Sequence, residues 1–140
     1  MKASSLTSKK LNSYSKIAKP FENVTDPVFI QRLESAAVAI ANLSLYASLN
    51  ASWWIFLALI LVPDLSLLAY YKNPKIGSKI YNLVHNYATP IIVGVLMLFL
   101  STPYALEIIL IWVAHIAIDR SLGYGLKYPT SFKHTHLSWK

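Results

Sequence analysis

All 13 Lys and Arg residues fall in three segments, 1–32, 72–79 and 120–140, and the stretches between them, 33–71 and 80–119, hold none. Those cation-free stretches are also the apolar part of the chain. A hydrocarbon core of about 30 Å takes roughly 20 residues of helix per crossing. Four such stretches fit here: residues 29–49, 53–71, 80–100 and 104–119. Positive charge is kept on the cytoplasmic side of a membrane. The pattern therefore predicts an all-α, polytopic protein of the cell inner membrane, a four-transmembrane-helix bundle with both termini cytoplasmic. A basic cytoplasmic tail covers 1–28, the membrane domain 29–119, and a cytoplasmic loop or tail 120–140.

A chain of 140 residues that is 55% hydrophobic suits a small soluble domain equally well on composition, so the arrangement decides the class. The absence of Cys excludes disulfides, thiolate chemistry and Cys-ligated zinc. A net charge of +7 invites a nucleic-acid reading. No recognition module flanks the spans, however, and cationic loops that hold the topology and meet anionic lipid head groups explain the charge. Leu11, Tyr14, Ile17, Ala18 and Phe21 recur at helical spacing among lysines, a weak amphipathic pattern suited to an anionic leaflet. An organellar transit peptide is the rival reading, since no acid precedes Glu22.

Within the first span, Ala37, Ala41, Ser44 and Ser48 form a small-residue stripe that lets helices approach closely, and Glu34 on that face is expected to look into the bundle. Trp53 and Trp54 anchor the outer interface and Tyr70 and Tyr71 the inner one. Pro63 and Pro90 are expected to break spans two and three and to free carbonyls that need interior partners.

Ionisable groups inside a membrane are costly and so are functional candidates. The spans carry Glu34, Asp64, His85, Glu107, His115 and Asp119. Counting from the nearest cation at about 1.5 Å per residue, Asp64 lies roughly 12 Å deep, His85 about 9 Å and His115 about 7 Å. All but Glu107 share one cytoplasmic shelf. His115 and Asp119, four apart, stack on one helical face, and Asn82, His85 and Asn86 form another polar face. Two imidazoles and one or two carboxylates make a first shell for zinc, iron or manganese. His136 is a possible addition from the tail, where His134 and His136 face one way if extended. The same groups also suit acid–base catalysis or a proton relay. In the plainer reading each His satisfies a proline-freed carbonyl and Asp119 pairs with Arg120.

Four blocks carry a resemblance: Pro63-Asp64-Leu65-Ser66, Tyr81-Asn82-Leu83-Val84-His85, the run from Trp112 to Arg120, and Gly123-Tyr124-Gly125-Leu126-Lys127-Tyr128-Pro129 with its continuation to Leu137. Together they resemble the bacterial membrane-protein family called DUF family 4260 over roughly residues 30–138. The resemblance implies the four-span architecture. It implies no reaction, and the family pattern has Asp where this chain has His134.

Three functions fit these readings. The first is a membrane-embedded, metal-dependent hydrolase acting on a membrane-associated substrate, with Asp64, His85, His115 and Asp119 as ligands or acid–base groups and zinc as a candidate metal. The second is a scaffold subunit, homo-oligomeric or otherwise, whose polar shelf is helix–helix glue. The third is a small proton-coupled transporter titrating Asp64 and Glu34, for which the outer half offers only Ser101, Thr102 and Glu107 as a polar path.

Overall fold

A computed structural model of the chain describes residues 24–137. The basic amphipathic tail up to residue 23 and the last three residues lie outside the described residues. Contacts divide the chain into two units, residues 1–30 and 31–140. In the first, the Asp26 carboxylate accepts from the backbone N–H groups of Val28 (2.8 Å) and Phe29 (3.3 Å). That cap starts α1, Pro27–Ser48, with proline at the position where its missing N–H matters least.

From Gln31 onward, α1 is followed by α2 (Trp53–Leu59), a 3₁₀ helix (Val62–Tyr71), α3 (Pro74–Val84), α4 (Ala88–Phe99) and α5 (Ala105–Leu122). The regular structure of the described residues is helical, apart from one antiparallel bridge between Lys127 and Thr135. Pro27–Ser48 and Trp53–Tyr71 are long and apolar enough to cross a membrane. A third crossing results if Pro74–Val84 and Ala88–Phe99, bent by 50°, form one broken span. Large apolar side chains cover the outside, Trp54 at 82% and Phe99 at 85% exposure among them. A monomer in water rarely leaves so much apolar surface open, whereas lipid solvates it freely.

The most buried element is α5, with Leu110, Ile111, Ala114, His115, Ile116 and Ala117 all inside. Its N-terminal half packs in an apolar cluster with Tyr46 of α1 and Phe56 of α2. Tyr46, Trp53 and Phe56 meet edge-on or tilted at centroid distances of 5.1–5.3 Å, and Tyr46 Oη donates to Ser52 O at 2.8 Å. Its C-terminal half carries the polar residues. The helix then stops at Gly123, whose φ of +99° only glycine adopts without strain. Gly123 N–H donates to Arg120 O and Tyr124 N–H to Asp119 O, a Schellman closure that ends the helix about two turns past His115.

Three details depart from the sequence expectations. The buried face of α1 is Ser35, Ala39 and Tyr46, while Ala37, Ala41, Ser44, Ser48 and Glu34 are exposed. The large Tyr46 ring, with Leu43 beside it, sets the rotation of the helix rather than the small-residue stripe. Residues 74–79, expected as a basic connection, form the first turns of α3. Asn73 caps them by accepting from Ile76 N–H at 2.8 Å, and Pro74 follows it. Finally, the break in span three falls at residues 85–87 and not at Pro90. Pro90 sits in the first turn of α4, where a missing N–H breaks nothing. Span two does change character at Pro63, which opens the 3₁₀ helix. In that helix residues three apart eclipse, so Asp64 and Tyr70 share a line, and Tyr70 packs where a Cβ on Gly77 would overlap its ring.

Candidate metal centre

A helix that ends inside a protein leaves its last carbonyls without partners. At the end of α3 each has one from a side chain. Tyr81 O meets His85 Nδ1 at 3.1 Å, and Asn82 O and Leu83 O accept from Asn86 Nδ2, both at 2.8 Å. Val84 O accepts from Trp112 Nε1 at 2.9 Å, and Arg120 reaches His85 O at 3.5 Å. Asn86 Oδ1 in turn accepts from Thr89 N–H at the start of α4. The last carbonyls of α3 are thus bonded, and the break presents the His85 ring to α5.

The contact with Tyr81 O also sets the proton on that ring. A carbonyl only accepts, so Nδ1 carries the hydrogen and Nε2 keeps its lone pair. His85 Nε2 lies 3.1 Å from His115 Nε2. Asp64 Oδ1 stands 3.4 Å from His85 Nε2 and 3.7 Å from His115 Nε2. Asp119 Oδ2 stands 3.8 and 3.7 Å from the same two nitrogens. The four ligand atoms lie within 4.8 Å of one another. Ligands at about 2.0–2.2 Å around a tetrahedral ion are separated by roughly 3.3–3.6 Å, and these separations bracket that range.

The group is asymmetric. Both imidazoles are almost wholly buried, at 3 and 5% side-chain exposure, whereas Asp64 is 40% and Asp119 21% exposed. The histidine side is closed and the carboxylate side opens outward. Around it, Tyr81 stacks on His85 at 3.7 Å between centroids, with its Oη 3.5 Å from Asp119 Oδ2. Lys127 Nζ lies 4.8 Å above the Tyr81 ring and 3.5 Å from the Phe132 centroid, and donates to Phe132 O. Burial lowers the Lys127 ammonium from its ordinary value, against the pull of Asp119 and Asp64.

Asn82 holds that lysine in place. Its Oδ1 accepts from Lys127 N–H at 2.7 Å and its Nδ2 donates to Lys127 O at 2.9 Å, as a neighbouring strand would. The C-terminal loop is thereby clamped onto α3. His136 belongs to this loop and stands outside the four-residue group. Its Nδ1 accepts from Leu126 N–H at 2.8 Å, and burial, with the Arg120 charge behind it, lowers its basicity. His134 turns away to Thr130 and Tyr128. Glu34 and Glu107 also lie outside the group. Tyr81 and Lys127 were not among the candidate residues of the sequence, although the spacing of four between Tyr81 and His85 on one helix was visible in it.

A family model described as Domain of unknown function (DUF4260) matches residues 28–139. The chain belongs to this family. The DUF4260 match takes in all four residues of the His/Asp group, the break at 85–87 and the clamped loop. No curated protein and no solved structure matches the chain.

Proposed function

We propose that Asp64, His85, His115 and Asp119 hold one divalent cation of the zinc, iron or manganese class in a small integral membrane protein, and that this centre hydrolyses a membrane-associated substrate. The observation that carries the reading is the convergence of four ligand atoms within 4.8 Å. Two further features support it. His85 donates its second ring nitrogen to a backbone carbonyl, the partner that metal-ligating histidines ordinarily have. The carboxylate side is 40% and 21% exposed, so water would reach the ion from there and add to the four side chains, as zinc allows when it expands to five ligands. When bound, the ion lowers the pKa of a coordinated water to about 7 and polarises the bond to be cleaved. Tyr81 Oη stands 3.5 Å from Asp119 Oδ2, and Lys127 supplies positive charge next to the opening.

The same reading takes four crossings, both termini on the cytoplasmic side of the inner membrane, and Lys72, Lys75 and Lys79 against anionic head groups. Metal analysis of detergent-purified protein tests the centre, with a chelator-sensitive assay on ester and phosphoester amphiphiles for the reaction. About one ion per chain is expected, lost in His85→Ala and His115→Ala. Wild-type protein that carries none and takes up none sinks the proposal. A scaffold reading rests on one specific contact, the 3.1 Å approach of the two Nε2 atoms, which without a cation is a hydrogen bond between α3 and α5. In that case both alanine variants lose stability and no metal is ever found.

A further inference from the structure

A cavity of about 470 Å³ lies between the 3₁₀ helix, α3 and α5. Val62, Leu65, Ser66, Val84, Ile111 and Trp112 contribute to its walls, which are apolar at every position but Ser66. Its volume lies within the range of about 300–1,000 Å³ of ligand pockets. Val62 and Leu65 are about half exposed, so the cavity opens on the outer apolar surface of the molecule. Several residues of its wall are neighbours in sequence of the His/Asp group. Leu65 follows Asp64, Val84 precedes His85, and Ile111 and Trp112 stand one helical turn before His115, about 5 Å along the axis.

Ser66 Oγ is buried and has no hydrogen-bond partner among the described residues. A buried hydroxyl without a partner calls for an explanation, and serines in helices ordinarily bond a carbonyl one turn back. Here it is the one polar residue in an apolar wall, two residues from Asp64, and a turn about χ1 would bring its covered Oγ to the cavity. A few polar groups of this kind orient a ligand in an otherwise apolar pocket.

We propose that this cavity holds a single acyl chain of a membrane amphiphile, that an ester oxygen at the head of the chain meets Ser66 Oγ, and that the polar end of the same molecule reaches the His/Asp group. The assignment of this molecule as substrate rests on the metal-centre reading above; the chain site does not. At about 30 Å³ for a water-sized group, the volume takes roughly 15 methylenes. A helix from a second copy, about 10–12 Å across, fits such a volume for barely one turn and offers Ser66 no ester.

The test uses full-length protein in nanodiscs and a monoacylglycerol carrying a diazirine in its chain, with a diazirine alkane as the second probe. Adducts are expected on cavity residues, saturating near one per chain and displaced by unlabelled monoacylglycerol. Ile80→Trp at a wall residue 41% exposed, or Leu65→Trp if the first misfolds, fills the opening and is expected to cut the saturable adduct at least tenfold at unchanged metal content. Ser66→Ala is expected to weaken the ester probe about fivefold, the worth of one hydrogen bond, and to leave the alkane probe alone. Labelling that neither saturates nor is displaced, and that spreads over outward residues such as Leu96 and Phe99, overturns the proposal, as do cross-links between two copies. Equal effects of Ser66→Ala on both probes overturn the ester contact. Saturable labelling of a protein without metal overturns the metal centre and leaves a chain-binding site.

Discussion

The two halves of α5 are built on opposite principles. Around Leu110, Ile111 and Ala114 the helix meets Tyr46 and Phe56, and the contacts are dispersion and ring edges. Around His115, Asp119 and Arg120 it meets Asp64, His85 and Tyr81 through directed contacts of polar atoms. The first region needs only to be filled. The second has to satisfy each polar atom, and among the described residues it leaves two partly open carboxylates with no Lys or Arg in an ion pair with either. An apolar cluster fixes the helices, and the polar cluster spends that rigidity on geometry. The difference points to packing as the task of one half and ligand binding as the task of the other.

Variants can break this contrast. The largest effect is expected for His115→Ala, which removes a ligand and should lower metal affinity more than about 100-fold, beyond the 10–100-fold typical of outer-shell changes; metal titration with a chromophoric competitor reads it. Tyr46→Ala should do the reverse. It should cost about 2–3 kcal/mol of thermal stability in detergent, towards the lower end of core truncations because lipid replaces water outside, with the metal count unchanged. A Tyr46 variant that loses its metal would show the two halves to be one cooperative unit. Asn82→Ala removes both bonds to the Lys127 backbone and should release the loop, at about 1–2 kcal/mol, read as faster amide exchange over residues 125–136.

The smallest effect is one of pH. His136 has a folded pKa below its ordinary value of 6.5. Between the two values the unfolded loop binds more protons, so stability rises with pH. Loop protection is therefore complete above about pH 6.5 and declines as pH falls through and below that value, a decline that His136→Gln should flatten. Amide exchange at a series of pH values checks it.

The meeting of Asp64, His85, His115 and Asp119 was legible because the cations give each helix a zero of depth and the helical rise converts position into height. Depth, however, says nothing of rotation. The inward face of α1 was misjudged because a stripe of small residues and the face that carries Tyr46 both suit close packing, and only the whole core decides between them. Pro90 misled because proline opens a helix as readily as it breaks one, and Asn86 and Thr89, which make the break, look like ordinary helix residues. The pairing of Asn82 with Lys127 spans 45 residues and joins a side chain to a backbone, a contact without periodicity.

The bend at residues 85–87 has a consequence for the surrounding bilayer. The 12 residues of α4 reach only about 18 Å, well short of a hydrocarbon thickness of about 30 Å. On the proposed topology, lipid beside α4 would have to thin, or α3 would have to sink its apolar side to make up the length. Either response carries the head-group boundary inward on that flank, toward the level of the His/Asp group. With a span this short, the proposed topology would favour thin or readily deformed membranes, and occupancy of the centre should respond to bilayer thickness.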